Sequence, residues 1–129
     1  IRGVCTDVVV RALRGQDIDL QQLIHEDMSA NFSVYPKNWG AKKTDKNIDH
    51  RRVPNIATYL KHKGYEAKGE FKAGDIVTWR LDNGRPHIGI VSDKFAASKT
   101  PLVIHNIGLG AQEEDVLNVY EITGHFRIK

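Results

Sequence analysis

The chain carries one cysteine, Cys5, and six histidines: His25, His50, His62, His87, His105 and His125. A thiol and an imidazole together can perform nucleophilic acyl transfer, the imidazole removing the thiol proton and later returning it to the leaving group. Cys5 opens a helical pattern. At a helix start, unpaired backbone N–H groups and the positive end of the dipole favour thiolate over thiol and offer donors to an oxyanion. The competing reading is a small buried hydrophobe beside Val8-Val9-Val10, because free cysteine is among the most buried residue types. A lone cysteine forms no intramolecular disulfide, and a cysteine-based structural zinc site needs more thiols.

The histidines differ in setting. His25 and His62 fall on polar helix positions and read as solvated. His87 and His105 each belong to an apolar strand. Alternation puts His87, Gly89 and Val91 on one face and Ile88 and Ile90 on the other, and Gly89 leaves room for another backbone or a substrate to approach. Two such histidines on neighbouring strands can meet, one as base and one orienting it, while a hydrogen-bonded structural role remains the alternative for each. A second chemistry is a metal site drawn from His50, His87, His105 and His125 with Asp49, although no His-x-x-x-His or His-Glu-x-x-His pair occurs.

The elements that must hold these groups follow from periodicity. Helical patterns run over Cys5–Arg14, stopped at Gly15, over about Asp19–Ala30 with Asp19 as N-cap, and over about Pro54–Lys63, ended by Gly64. Three consecutive valines are poor helix formers, so the first helix is expected to be held by burial on several faces. From Asn31 to Val53 periodicity gives way to turn chemistry and the polar cluster Asp49-His50-Arg51-Arg52, a long loop of the kind more often used for binding than for connection. Strands are then expected at Ile76–Leu81, His87–Ser92, about Pro101–His105 and about Val116–Ile122, the first two joined by an Asp82-Asn83-Gly84 turn. Trp39 and Trp79 read as packing residues, Asp75 as a turn residue entering the first strand, and His125 with Arg127 as closing the sheet edge. Three helices followed by about four antiparallel strands make an α+β single domain over residues 1–129, with the helices on one side of the sheet.

With 129 residues, 40% hydrophobic and 27% charged, the composition is that of an ordinary globular domain and excludes collagen-like or disordered chains. The longest uninterrupted apolar run is three residues, as in Val8-Val9-Val10, against the ~18 residues a membrane-spanning helix needs. Lys+Arg 19 against Asp+Glu 16 gives +3, scattered along the chain, which favours an anionic partner without pointing to nucleic acid. The start at Ile1, without a basic and apolar leader, reads as a trimmed or mature piece.

Gly3-Val4-Cys5-Thr6-Asp7 opening a helix, Gly74-Asp75-Ile76-Val77-Thr78-Trp79, His87-Ile88-Gly89-Ile90-Val91 and Val103-Ile104-His105 resemble, in this order, the NlpC-type papain-like cysteine peptidases, which are bacterial cell-wall endopeptidases and amidases. Asn47 to Asn55 and the Gly124-His125-Phe126-Arg127 ending resemble more narrowly an uncharacterised bacterial family assigned to that superfamily. The resemblance extends from Cys5 to the end and implies a papain-like fold with Cys5 as nucleophile, His87 as base and His105 as the third, orienting residue, with Asn106 as the alternative in that place. The superfamily's usual Asp-Cys-Ser-Gly stands here as Val4-Cys5-Thr6-Asp7.

The resemblance implies a monomeric peptidoglycan hydrolase acting in the periplasm or outside the cell, without cofactor or metal, on amide bonds of wall stem peptides. Delivered against another cell, such an enzyme would have a cognate inhibitor protein. His50, Arg51, Arg52, Trp39 and Asp7 are the expected substrate-binding residues, since arginine's fork suits the carboxylates of stem peptides; solvated or internally paired arginines are the alternative. Rival functions are a papain-like acyl transferase of transglutaminase type and a non-catalytic wall-binding or inhibitor-like module.

Overall fold

The computed structural model describes residues 5–31, 52–106 and 111–128. Three helices precede five strands: α1 (Cys5–Arg14), α2 (Leu20–Asn31), α3 (Val53–His62), β1 (Ile76–Arg80), β2 (Pro86–Phe95), β3 (Pro101–Asn106), β4 (Ala111–Glu114) and β5 (Glu121–Phe126). The sheet is antiparallel in the order β4-β3-β2-β1-β5. This is the expected α+β arrangement.

Burial overrides propensity in α1, where Val9, Val10 and Leu13 are buried against other elements. The helix ends as Gly15 N–H bonds Arg11 O, Asp17 adopts φ 62° and Ile18 N–H returns to Leu13 O. Asp19 caps α2 by accepting from Gln22 N–H at 3.2 Å. Pro54 lies in the first turn of α3, where a missing N–H costs nothing, and Gly64 leaves that helix at φ 77°. Between β1 and β2, Gly84 at φ 82° lets the chain reverse, as the Asp-Asn-Gly sequence anticipates.

The two faces of the sheet bury different clusters. On one, Ile76, Ile88, Ile90 and Phe126 pack beneath α1, α2 and α3. On the other, Val77, Trp79, Val91 and Val103 are covered by Leu117 and by partly buried Phe71, Val116, Tyr120 and Ile122. The period-2 alternation of β2 thus divides two cores, Ile88 and Ile90 facing the helices and Val91 facing away.

Two sequence expectations need correction. The strand expected at Val116–Ile122 begins only at Glu121; residues 115–120 form turns in which Leu117 drops into the second core and its carbonyl accepts from Trp79 Nε1 at 2.9 Å. A fifth strand, β4, occupies Ala111–Glu114, a polar segment whose side chains give no hydrophobic alternation to read. Among the described residues no helix is long and apolar enough to cross a membrane.

Candidate active site

The register of the central strands brings the two strand histidines together. Gly89 of β2 lies opposite His105 of β3, and Trp79 of β1 lies opposite His87. A Cβ on Gly89 would stand 2.9 Å from Ile104 O and 3.2 Å from His105 Cβ, so the missing side chain is what lets β3 approach at this point. The space beside His87 expected from Gly89 is therefore filled by β3 itself.

His87 Nε2 lies 2.8 Å from His105 Nδ1, with the rings edge to face, and His105 Nε2 lies 2.7 Å from Glu114 Oε1 on β4. The indole of Trp79 leans on His87, the ring centroids 5.5 Å apart. Both histidines are buried, while the Glu114 side chain is 40% exposed at the sheet edge. Burial, and after it the charge of His105, lower the His87 pKa to about 4, so this ring is neutral at pH 7. Its Nδ1 has no hydrogen-bond partner among the described residues.

Cys5 begins α1, packed against the helix-side core. β2–β3 pairing ends at Gly89 and His105, and just beyond it the Ile88 backbone comes near enough to Cys5 to favour its thiolate. The sulfur thus sits against the residue next to His87, but no hydrogen bond joins it to the His87 ring. The expectation of a thiolate at rest is corrected: desolvation by burial raises the Cys5 pKa and outweighs the backbone hydrogen bonds from Ile88 and the first turn of α1. At neutral pH the groups rest as thiol and neutral imidazole.

The third place at the ring belongs geometrically to His105. Asn106, the alternative, is buried on the opposite, helix-facing side of β3 and borders a cavity of about 300 Å³ with Asp7, Arg11, Ile90 and Ile104. Asp7 is thus placed on a cavity wall. Arg52 precedes α3, exposed and partnered; Trp39, His50 and Arg51 lie outside the described residues. Sequence reasoning missed Glu114, whose only signal was a pair of carboxylates, Glu113-Glu114, a few residues after the His105 strand.

The remaining histidines lie elsewhere. His125 Nε2 lies 2.6 Å from Asp75 Oδ2, which also accepts from Arg127 Nη2 at 2.8 Å, while Phe71 stacks on the His125 ring. Burial raises the Asp75 pKa, but hydrogen bonds from Arg127, His125 and the Lys72 N–H outweigh it and leave the carboxyl below the usual range. This cluster ties β5 to the turn entering β1, as expected for Asp75, His125 and Arg127. His62, expected to be solvated, pairs with Asp27 at 3.0 Å, and His25 keeps a buried Nδ1 without a hydrogen-bond partner among the described residues. The metal set fails in part on topology: β5, carrying His125, is separated from β3 by β1 and β2. Among the described residues no three His, Cys, Asp or Glu side chains are gathered as metal ligands.

These features define an α+β protein with a cysteine at the start of a helix packed on the sheet and a strand-borne file of two histidines and a glutamate. The chain belongs to the DUF1287 family, a domain of unknown function, whose family model matches residues 1–128. It is 58% identical over 131 residues to the uncharacterized protein YijF of Escherichia coli (strain K12), an alignment covering 98% of this chain and 64% of that protein's length. No solved structure matches the chain.

Proposed function

We propose that the chain is a cysteine hydrolase of the papain-like, NlpC type that cleaves amide bonds in the stem peptides of bacterial peptidoglycan, working in the periplasm or outside the cell. The observation that carries this reading is the file His87–His105–Glu114, built across β2, β3 and β4, with Cys5 opening the helix that packs on β2 and β3. Thiol, base and orienting group follow the chain order of the superfamily that the sequence resembles.

The mechanism uses the resting protonation states. As Cys5 Sγ attacks the amide carbonyl carbon, its proton passes to His87 Nδ1 and the carbonyl electrons move to oxygen, where N–H groups of the first turn of α1 are available donors. Collapse re-forms the carbonyl and breaks the C–N bond, and the departing nitrogen takes the proton from His87. Water then attacks the thioester, giving a proton to His87; the carboxylic product leaves and the thiol is restored. The cavity bordered by Asp7 and Arg11 lies along the helix that presents Cys5, and the Arg11 guanidinium suits a substrate carboxylate.

Mass spectrometry of purified peptidoglycan fragments after incubation with the protein tests the proposal. Wild type is expected to release peptides with new carboxyl and amino ends. Cys5→Ala is expected to release none, and His105→Ala to turn over roughly 10- to 100-fold more slowly with an unchanged circular dichroism spectrum. Intact fragments with folded wild type, or equal cleavage by Cys5→Ala, would refute it.

A further inference from the structure

We infer that Glu114 is a positioning residue of this site: by accepting a hydrogen bond from His105 it sets the tautomer of both histidines and leaves His87 Nδ1 as the unprotonated nitrogen that serves as base. The inference rests on the reading of Cys5 and His87 as nucleophile and base.

Donors and acceptors fix the order of the hydrogens. An ionised carboxylate only accepts, so at 2.7 Å from Glu114 Oε1 the His105 Nε2 must carry hydrogen. A neutral His105 then presents a bare Nδ1, which can only accept. His87 Nε2, 2.8 Å away, must therefore be the donor and carry the hydrogen of that ring. A neutral His87 with hydrogen on Nε2 has its lone pair on Nδ1, the atom without a partner among the described residues. The order is thus propagated from the sheet edge to the base through two rings.

The arrangement also suits the charged state. When His87 Nδ1 takes a proton, Nε2–H continues to donate to His105, so no hydrogen bond has to be remade. The titratable groups around the file are few. Glu114 faces it from β4 and Cys5 lies beside Ile88 from α1. From β1 the neighbour is the uncharged Trp79. The adjacent Glu113 faces the other side of the sheet, where it bonds Ser92 and lies 3.8 Å from Lys94 Nζ. Among the described residues Glu114 is consequently the carboxylate that acts on the pair.

Long-range ¹⁵N–¹H NMR of the imidazoles at neutral pH, combined with steady-state kinetics on wall fragments, tests the inference with wild type, Glu114→Gln and Glu114→Ala. Glu114 is half exposed on an edge strand, so truncation opens no core cavity, and circular dichroism verifies the fold. Wild type is expected to show His87 and His105 both protonated on Nε2. Glu114→Gln, whose amide oxygen still accepts, is expected to keep that pattern and most of the turnover. Glu114→Ala is expected to lose the single pattern, with part of the population carrying hydrogen on His87 Nδ1, and to lower kcat roughly ten-fold or more at unchanged KM. Wild-type tautomers in Glu114→Ala, or an equal loss of kcat in both variants, would overturn the role of Glu114. The NMR measurement needs no substrate, so it decides the role of Glu114 separately from whether wall peptides are cleaved.

Discussion

His87 has to be neutral to act as a base, and its surroundings make it so. Burial disfavours the imidazolium and the neighbouring His105 adds to the effect, bringing the pKa from 6.5 to about 4. A histidine depressed on folding binds its proton more readily in the unfolded chain, so its contribution to stability is intact above the unfolded pKa and is lost as pH falls towards the folded one. Urea denaturation at a series of pH values should therefore show stability falling by up to about 3 kcal/mol from this group between pH 6.5 and 4. His87→Gln should lose that part of the slope; an unchanged slope would contradict the assignment. Asp75 acts in a lower window, because its depressed pKa adds stability that is lost only as pH falls below the ordinary carboxyl value of 3.8. At this scale the helix start at Cys5 and the strand face of His87 were legible in the sequence, because a helix start and alternation are local signals. The raised thiol pKa was not, because it depends on how deeply α1 is buried by elements distant in sequence.

The elements meet at the site because β2 carries a glycine where β3 comes closest. Gly89→Ala would push a methyl group to 2.9 Å from both Ile104 O and Val103 Cγ1. Backbone cannot yield as a flexible side chain does, so the substitution should destabilise the fold by roughly 1–3 kcal/mol. Thermal unfolding would measure it, and a variant as stable as wild type would show that the ladder tolerates widening there. The helices were legible almost to the residue, as caps and stop signals are encoded locally: Cys5–Arg14 was read from the pattern and is the observed α1. β4 was not legible, since Ala-Gln-Glu-Glu is held as a strand by pairing with Val103 to Asn106 rather than by its own pattern. The segment around Leu117 misled for the opposite reason, its apolar residues covering the outer face of the sheet as a turn.

Across the whole molecule, two cores lie on opposite sheet faces: Cys5 packs with the helix-side one, and the His87–His105 pair stands on the other face, where the β2–β3 ladder ends. The Asp75–His125–Arg127 cluster fixes the other end of β1, so the strand that presents Trp79 to His87 is anchored at both ends. Glu114 escaped sequence reading for a reason of this scale: its partner lies across a ladder, and only the assembled sheet puts the carboxylate at the far side of two rings. The central claim is that Cys5 forms a covalent bond to the acyl half of a wall peptide. Intact-protein mass spectrometry after acid quench, with muropeptides as substrate, tests it most directly. The account predicts a hydroxylamine-labile adduct of the acyl half's mass on Cys5 in wild type and none in Cys5→Ala; cleavage by Cys5→Ala, or cleavage by wild type with adducts confined to other residues, would contradict it.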